Sequence, residues 1–217
     1  MSIDTRPMKP LSVELRLRAS KLDVRAQFRV SPGKVCALVG RTGSGKSGLL
    51  KAVAGILPAQ GGRVALGAEA LFDSAAGIDR PDHERHLAWL DSEGHLIPHL
   101  TVRRNLMLGA RTTGNGTLHI GALPSSVDEV VNWLDLGAAL DQRPSRLTQA
   151  LRFKVNLGRA LLSSPNGLLL DDPLGAVPET EHEPLLDLLS EAASRFRLPT
   201  VMVSPRMHDV IRLSDEV

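Results

Sequence analysis

The chain has 217 residues, enough for one large domain that buries a core without disulfides or metals. Hydrophobic residues make up 42% and charged residues 23% of it, a globular balance that excludes intrinsic disorder. The 26 Lys and Arg against 24 Asp and Glu leave a net charge of only +2, and aromatic residues are 3% with no Tyr. So small an excess of positive charge does not argue for nucleic acid, and so few aromatic residues argue against a base-stacking platform, so we expect no nucleic-acid partner.

The cysteine content indicates a reducing compartment, and the hydropathy pattern argues against a secreted or membrane-spanning protein. Cys36 is the single cysteine, so no internal disulfide can form. No uncharged apolar run approaches the roughly 18–20 residues of a membrane helix. The segment Met1–Asp4 lacks the basic-then-apolar pattern of a secretory signal.

The first quarter of the chain predicts strands followed by a helix. Residues 11–30 alternate as two strands would, and the apolar run 35–39 is typical of a strand buried on both faces. A helix is predicted from Lys46 to Ala54, ending near Gly55. Further strands are expected at 63–66 and 87–90.

The middle of the chain, about 94–162, is predicted to be mostly helical. Residues 110–117 are loop-like, and Ser126 with Glu129 has the spacing of a capping box. Trp133 lies at helical spacing and is expected in the core of this region. A second helix is predicted over 149–162 with Thr148 as its N-cap.

Strand patterns return at 168–170 and 201–203, separated by a helical pattern. A strand, a helix and a strand in this order imply a parallel crossover and an α/β sheet. The charged residues between His83 and His86 predict a solvated connection around Arg85 rather than a metal site.

One segment matches the pattern G-x-x-x-x-G-K-[ST], in which glycines let backbone N–H groups surround phosphate oxygens. The helix that follows adds its positive N-terminus, the lysine can reach the β and γ phosphates, and the hydroxyl can bind Mg²⁺. The strand before the segment and the helix after it give the context that this site requires. The matching residues are Gly40, Arg41, Thr42, Gly43, Ser44, Gly45, Lys46 and Ser47.

A phosphate loop of this kind needs an acidic residue at the end of a neighbouring buried strand. The apolar run 168–170 ends in Asp171, which we expect to hold Mg²⁺ directly or through water together with Ser47. ATP and Mg²⁺ are therefore the expected cofactors.

With these motifs the chain resembles the ATPase subunit of ABC transporters from about residue 11 onward. Several segments are most similar to the molybdate-import subgroup: Leu71-Phe72-Asp73-Ser74, Pro98-His99-Leu100-Thr101-Val102, Asn105-Leu106, and Gly158-Arg159-Ala160-Leu161-Leu162-Ser163-Ser164-Pro165. The resemblance implies a P-loop NTPase (RecA-like) parallel-sheet core, an antiparallel β-rich N-terminal part and an inserted helical subdomain at about 94–162. We expect residues 1–217 to form a single ATP-binding domain of this kind.

The resemblance also implies partners. ABC ATPases work as head-to-tail dimers with ATP between the subunits, here a homodimer or a heterodimer, and the helical subdomain meets a transmembrane permease at the inner face of the membrane. Leu96, Ile97 and Leu100 lie in the segment that would face the permease, although burial within the lobe explains them as well. The expected location is cytoplasmic and peripheral to the membrane.

The chain departs from the family pattern at five motifs. Ser92 stands in place of the lid-loop glutamine, Thr148-Gln149-Ala150 in place of Ser-Gly-Gly in the signature, Asp172 for the catalytic glutamate, Pro178 for an aspartate and Pro205 for the switch histidine.

These changes predict weak or absent hydrolysis. Asp172 is one methylene shorter than Glu, and a misplacement of about 1 Å can cost about 10²-fold. Pro205 has no side-chain hydrogen-bonding group. The leading hypothesis is an importer subunit, with an oxyanion such as molybdate as a candidate solute, that binds Mg-ATP and hydrolyses it poorly. The alternatives are a competent ATPase that works with a partner subunit and a non-catalytic structural or regulatory module.

Overall fold

The computed structural model describes residues 8–19, 22–110, 112–113, 116–117, 123–124 and 126–215. The strands are β1 (Leu11–Ala19), β2 (Leu22–Val30), β3 (Val35–Leu38), β4 (Gly61–Leu66), β5 (Glu69–Asp73), β6 (Ile78–Asp79), β7 (Leu87–Asp91), β8 (Thr112–Thr113), β9 (Gly116–Thr117), β10 (Gly167–Asp171) and β11 (Thr200–Val203). The helices are α1 (Lys46–Ala54), α2 (Asp82–Arg85), α3 (Val102–Gly109), α4 (Val127–Trp133), α5 (Gln149–Leu162), α6 (His182–Arg195) and α7 (Met207–Leu213). The segment Met1–Asp4, discussed above as lacking a signal pattern, lies outside the described residues.

A four-stranded parallel sheet in the order β3-β11-β10-β7 forms the centre of the fold. The strand β10, the helix α6 and the strand β11 form the predicted parallel crossover, with Asp171 paired to Val203. Val203 in turn pairs with Leu38 at the end of β3. The carboxyl ends of these strands therefore share one edge of the sheet, where ligands bind in open α/β folds.

Alternate residues of this sheet enter two different cores, which explains why its strands are continuous apolar runs. Leu168 and Leu170 pack in the core that holds residues of α3 to α7. Leu169 lies between them and packs in the second core, with residues of α1 and the N-terminal strands. The strand predicted over the run 35–39 is buried on both faces at Val35–Ala37, with Val35 and Ala37 in the first core and Cys36 in the second, but it ends at Leu38, and Val39 is exposed.

A five-stranded sheet in the order β2-β1-β4-β5-β6 covers the second core, and all of its pairs are antiparallel. Its inward residues, among them Leu15 and Val64, contact the same core as α1. The structure confirms a parallel core combined with an antiparallel β-rich N-terminal part.

In the described residues between β7 and β10, the helices α3, α4 and α5 each begin at a side-chain cap, and Thr101 caps α3 by accepting a 3.3 Å hydrogen bond from the N–H of Arg104. Ser126 accepts a hydrogen bond from the N–H of Glu129 at 3.1 Å, and Thr148 accepts one from the N–H of Leu151 at 3.2 Å. The N-caps of α4 and α5 are where the sequence predicts them. No helix in the described part of the chain is long and apolar enough to span a bilayer.

The segment 110–117 differs from the expected loop. The strands β8 and β9 pair antiparallel, and two residues per strand are too few for the alternation on which strand prediction depends. Residues 111, 114 and 115 of this segment lie outside the described residues.

The side chain of Trp133, at the end of α4, contacts α6 and the residue that follows it. Its ring meets the ring of Phe196, just after α6, edge-to-face with centroids 5.5 Å apart. Its indole N–H donates a 2.8 Å hydrogen bond to Glu191. The sequence interpretation of Trp133 as core of the helical segment misses this connection to α6.

The interpretation of Arg85 as part of a solvated connection is wrong. Arg85 is 2% exposed, because its guanidinium lies over the C-terminus of α1 and donates 2.9 Å hydrogen bonds to the carbonyl oxygens of Ala52 and Val53. It also donates to Arg80 O and to Asp79. Last-turn carbonyls lack intrahelical partners, and a cation satisfies them well.

Candidate functional site

A glycine-rich loop joins the end of β3 to the start of α1. Gly43 and Gly45 have left-handed backbone conformations, with φ of 80° and 92°. A Cβ on Gly45 would lie 2.7 Å from Cγ2 of Val24 on β2, so only glycine fits there. No side chain of the described residues caps the N-terminus of α1, which leaves the N–H groups of its first turn available to an anion.

Lys46 folds back over this loop. Its Nζ donates hydrogen bonds to Gly40 O at 2.7 Å, to Arg41 O at 2.9 Å and to Ser44 Oγ at 3.3 Å. These acceptors are neutral, so a phosphate anion in the loop would be a stronger partner for the ammonium group. The loop and its lysine thus fit a polyphosphate.

Ser47, in the first turn of α1, contacts the end of the neighbouring sheet. Its hydroxyl donates a 2.7 Å hydrogen bond to Oδ1 of Asp171, the last residue of β10. A hydroxyl and a carboxylate oxygen are ligands of the type that Mg²⁺ prefers. The chemistry of this pair fits the ion.

Asp172 directly follows Asp171 and has a constrained position. Its backbone is left-handed, with φ of 48°, and its N–H donates a 2.7 Å hydrogen bond to Val203 O. Its Oδ1 accepts a 2.9 Å hydrogen bond from the guanidinium of Arg206. A side chain on Gly175 would collide with the Asp172 carboxylate.

Ser92 follows β7, the strand next to β10, and is half-buried. The residue before it, Asp91, is held at this edge by several donors. Its carboxylate accepts hydrogen bonds from the Trp89 indole at 3.0 Å and from the N–H groups of Glu93 and Gly94 at 3.1 Å, and it lies 2.9 Å from Nε2 of His95.

The pKa of Asp91 lies below its ordinary value. Burial opposes ionisation of the carboxyl group, but hydrogen bonds from Trp89, from the Gly94 amide and from His95 outweigh burial. Asp91 is therefore a stable anion at the base of the segment that contains Ser92.

The signature-like residues Thr148, Gln149 and Ala150 begin α5. The Thr148 hydroxyl serves as the N-cap of this helix, Gln149 is exposed and Ala150 is half-buried. The buried residues of α5 belong to one core and those of α1 to the other. The signature-like segment is therefore on the opposite face of the parallel sheet from α1.

The structure brings Lys46, Ser47 and Asp171 together at one edge of the parallel sheet. Two residues of this region were missed by the sequence reasoning, Arg206 and Asp91. Arg206 contacts Asp172 from 34 positions away in the chain, and no local pattern indicates such a contact. Asp91 could have been noticed as a charge that ends an apolar strand, as Asp171 does.

This loop, its lysine and the serine–aspartate pair, set at the carboxyl edge of a parallel sheet, define a P-loop nucleotide-binding domain. The family model described as ABC transporter matches residues 24–175. The chain belongs to this family, and ATP with Mg²⁺ is the cofactor pair that the membership gives it.

Curated relatives are similar over nearly the whole chain. The molybdenum import ATP-binding protein of Rhodospirillum rubrum is 36% identical over 94% of this chain and 54% of its own length. The proteins of the same name from Paramagnetospirillum magneticum and Rhizobium meliloti are 37% and 38% identical, over 94% and 95% of this chain and 55% and 56% of their own lengths. The chain thus spans about half the length of the curated relatives that it matches.

Proposed function

We propose that this chain is the Mg-ATP-binding subunit of an ABC importer, with an oxyanion such as molybdate as the solute, and that it hydrolyses ATP weakly or not at all. The names of its relatives support the solute. The retained phosphate loop supports binding, and the altered catalytic motifs support the low turnover.

The binding half of the proposal assigns a role to each residue of the loop. The backbone N–H groups of residues 43–47 would surround the phosphates, and Lys46 would bind the β and γ phosphates. Ser47 and Asp171 would hold Mg²⁺, which supplies charge neutralisation at the phosphate oxygens. Gly40, Arg41 and Thr42 complete the loop as exposed residues.

The low-turnover half depends on groups that are missing or occupied. Ser92 and Pro205 lack the amide and imidazole of the family pattern, and loss of a group that positions or polarises water costs about 10²–10⁴-fold. The shorter Asp172 carboxylate is bound by Arg206 at 2.9 Å. Gln149 and Ala150 add side chains where the family has glycines, which opposes close approach to a partner's nucleotide.

The single observation that carries the binding half of this proposal is the 2.7 Å hydrogen bond from Ser47 to Asp171. It joins the phosphate loop to the acidic strand end in the arrangement that Mg-nucleotide binding requires.

We also propose the partners and the location. A transmembrane permease would contact the helical subdomain at about 94–162, and a second ATP-binding cassette subunit, identical or different, would complete the nucleotide site. Leu96 packs against the core, and Ile97 and Leu100 are half-buried, so this segment contributes both to packing and to any permease contact. The chain would lie in the cytoplasm at the inner face of the membrane.

Calorimetry tests the binding half. Wild-type protein should bind Mg-ATP, and Lys46→Ala should abolish or strongly weaken the binding because the cation to the phosphates is lost. Lys51→Ala, at the other end of α1, is the matched control and should bind like wild type. No affinity in the wild type, or an unchanged affinity in Lys46→Ala, contradicts the proposal.

Phosphate release tests the low-turnover half. The purified protein should release phosphate far more slowly than the 1–10³ s⁻¹ that is typical of enzymes. A rate in that range would refute weak hydrolysis and leave ATP binding in place.

A second candidate, a competent ATPase that works with a partner subunit, has specific support. Thr148 retains a hydroxyl at the start of α5, and Asp172 retains a carboxylate. Reconstituted transport that stops in Asp171→Asn or Asp172→Asn would favour this candidate.

A further inference from the structure

We propose that Arg206 is a positioning residue that restrains the Asp172 carboxylate and holds hydrolysis down. This inference rests on the proposed function, since it concerns the same nucleotide site. Arg206 follows Pro205, the altered switch position, and the family pattern gives Arg206 no role.

The fold brings the two residues together at the functional edge of the sheet. Asp172 follows β10 and Arg206 follows β11, the strand beside it. The guanidinium Nη1 donates to Asp172 Oδ1 at 2.9 Å, and the side chains of Arg206 and Asp172 are 27% and 35% exposed. This is a partly buried, charge-assisted contact, which is stronger than a fully exposed pair.

Buried groups hold Arg206 in place from its own side. Asp209, in the first turn of α7, is 3% exposed and lies 3.7 Å from Arg206 Nη1. Asp209 also accepts a 3.4 Å hydrogen bond from the Ser204 hydroxyl, which itself accepts one from the Arg206 N–H at 3.1 Å. The guanidinium is therefore fixed between two carboxylates.

The other partner is fixed as well. Asp172 is tied by its N–H to Val203 O, and its left-handed φ of 48° is a conformation that costs free energy for a residue with a side chain. The absence of a side chain on Gly175 provides the space for the carboxylate. Asp172 thus has little freedom to turn away from Arg206.

The same network reaches the loop after Asp172. Buried His182 lies 3.4 Å from Asp209 through Nδ1 and 3.0 Å from Val177 O through Nε2. The segment that carries Asp172 and the segment that carries Arg206 are therefore connected behind the ion pair.

The chemical consequence concerns general-base catalysis. A carboxylate that activates water must offer an oxygen that aligns the water and accepts its proton. One oxygen of Asp172 is already occupied by a guanidinium donor, and the other lies against Gly175. Arg206 cannot accept the proton itself, because arginine stays protonated in proteins.

The contact is tested without nucleotide by a double-mutant cycle. The variants are Asp172→Asn, Arg206→Met and the double variant, each unfolded in urea. We expect a coupling of about two- to fivefold in the equilibrium constant of unfolding. Additive effects of the two single changes would overturn the contact, whether or not the protein binds ATP.

The inhibitory role is tested by steady-state phosphate release. Arg206→Met should raise kcat about tenfold or more and change KM for ATP by less than about twofold, whereas a merely structural loss would lower kcat. Arg206→Lys keeps the cation and should stay near the wild-type rate. Arg212→Met is the matched control, since Arg212 on α7 pairs with Glu183 and Asp187, and it should leave the rate unchanged.

The outcomes separate this inference from the function on which it rests. An unchanged or lower kcat in Arg206→Met, with normal ATP binding, overturns the inhibitory role and leaves the proposed function intact. No ATP binding in the wild type overturns both the proposed function and the inhibitory role. The double-mutant cycle, which is measured without nucleotide, then still tests whether Arg206 and Asp172 interact.

Discussion

Arg85 donates a 2.9 Å hydrogen bond to the carbonyl oxygen of Ala52, 33 residues earlier in the chain. The buried guanidinium thereby closes the C-terminal end of α1, the helix whose N-terminus forms the phosphate loop. Burial lowers the pKa of Arg85 from its ordinary value, and the nearby carboxylate of Asp79 partly offsets this.

Arg85→Met should therefore destabilise the fold by about 2–4 kcal/mol, because the carbonyl oxygens of Ala52 and Val53 each lose a charged donor in a buried place, while Ala52 O keeps the N–H of Gly55. Urea unfolding measures the change. Arg80→Met is the matched control, since the Arg80 side chain is 37% exposed and pairs with exposed Glu69, and it should cost less than about 1 kcal/mol. If Arg85→Met and Arg80→Met lowered the free energy of unfolding equally, the buried contacts of Arg85 would add nothing to stability.

Gly158 on α5 lies at a close contact with side chains of α3 and α4. A Cβ at this position would be 2.6 Å from Val130 Cγ1 and 3.0 Å from Leu106 Cδ2. Gly158→Ala should destabilise the protein by about 1–3 kcal/mol through overpacking, as measured by urea unfolding.

At Gly48 on α1, substitution by Ala is expected to stabilise the protein, the opposite of its effect at Gly158. A Cβ there meets nothing within 4 Å, so Gly48→Ala gains helix propensity and should stabilise by about 0.4–1 kcal/mol. Shifts of the same sign in Gly48→Ala and Gly158→Ala would contradict the difference in packing.

The Ser47–Asp171 hydrogen bond leads to a prediction about the metal. In Ser47→Ala, the affinity for ATP should depend much less on Mg²⁺ than in the wild type, because one of two oxygen ligands is lost. Calorimetry with and without Mg²⁺ measures this. Ser44→Ala, which changes a hydroxyl elsewhere in the loop, should keep the Mg²⁺ dependence of the wild type.

Asp91 predicts how stability depends on pH. Its pKa in the folded protein is below the ordinary value, so the unfolded chain binds its proton first as the pH falls. The carboxylate therefore stabilises the fold above the unfolded pKa of about 3.9, and this contribution is lost as the pH falls through the lower folded pKa.

Asp91→Asn should thus reduce the slope of unfolding free energy against pH below about pH 5, as measured by urea unfolding at several pH values. An unchanged slope in Asp91→Asn would contradict the hydrogen-bond arrangement at this residue.

The bounds of several helices and strands can be predicted from the sequence, because they depend on residues that are neighbours in the chain. The helix α1 begins at Lys46 and ends at Ala54 as predicted, because the lysine follows a glycine turn and Gly55 stops the helix. The helix α5 likewise has the predicted bounds and the predicted Thr148 cap. The strand β10 is predicted by its run of apolar residues, and the run is apolar throughout because alternate residues pack in two different cores.

The contacts that sequence reasoning missed join distant parts of the chain. Arg85 appears solvated in a charged segment, yet its partners are on α1. Trp133 pairs with Phe196, and Asp172 pairs with Arg206, across separations that hydrophobic periodicity does not report. The phosphate loop can be predicted from the sequence because all of its residues lie in one short segment. The contact between Arg206 and Asp172 cannot, because it forms only when β10 and β11 pair.

The hydrogen bond from the Trp89 indole to Asp91 has a practical consequence. The chain has two tryptophans and no tyrosine, so Trp133→Phe would leave Trp89 as the sole strong fluorophore. Its emission would then serve as an optical reporter of the segment around Ser92, readable in real time and without any attached dye.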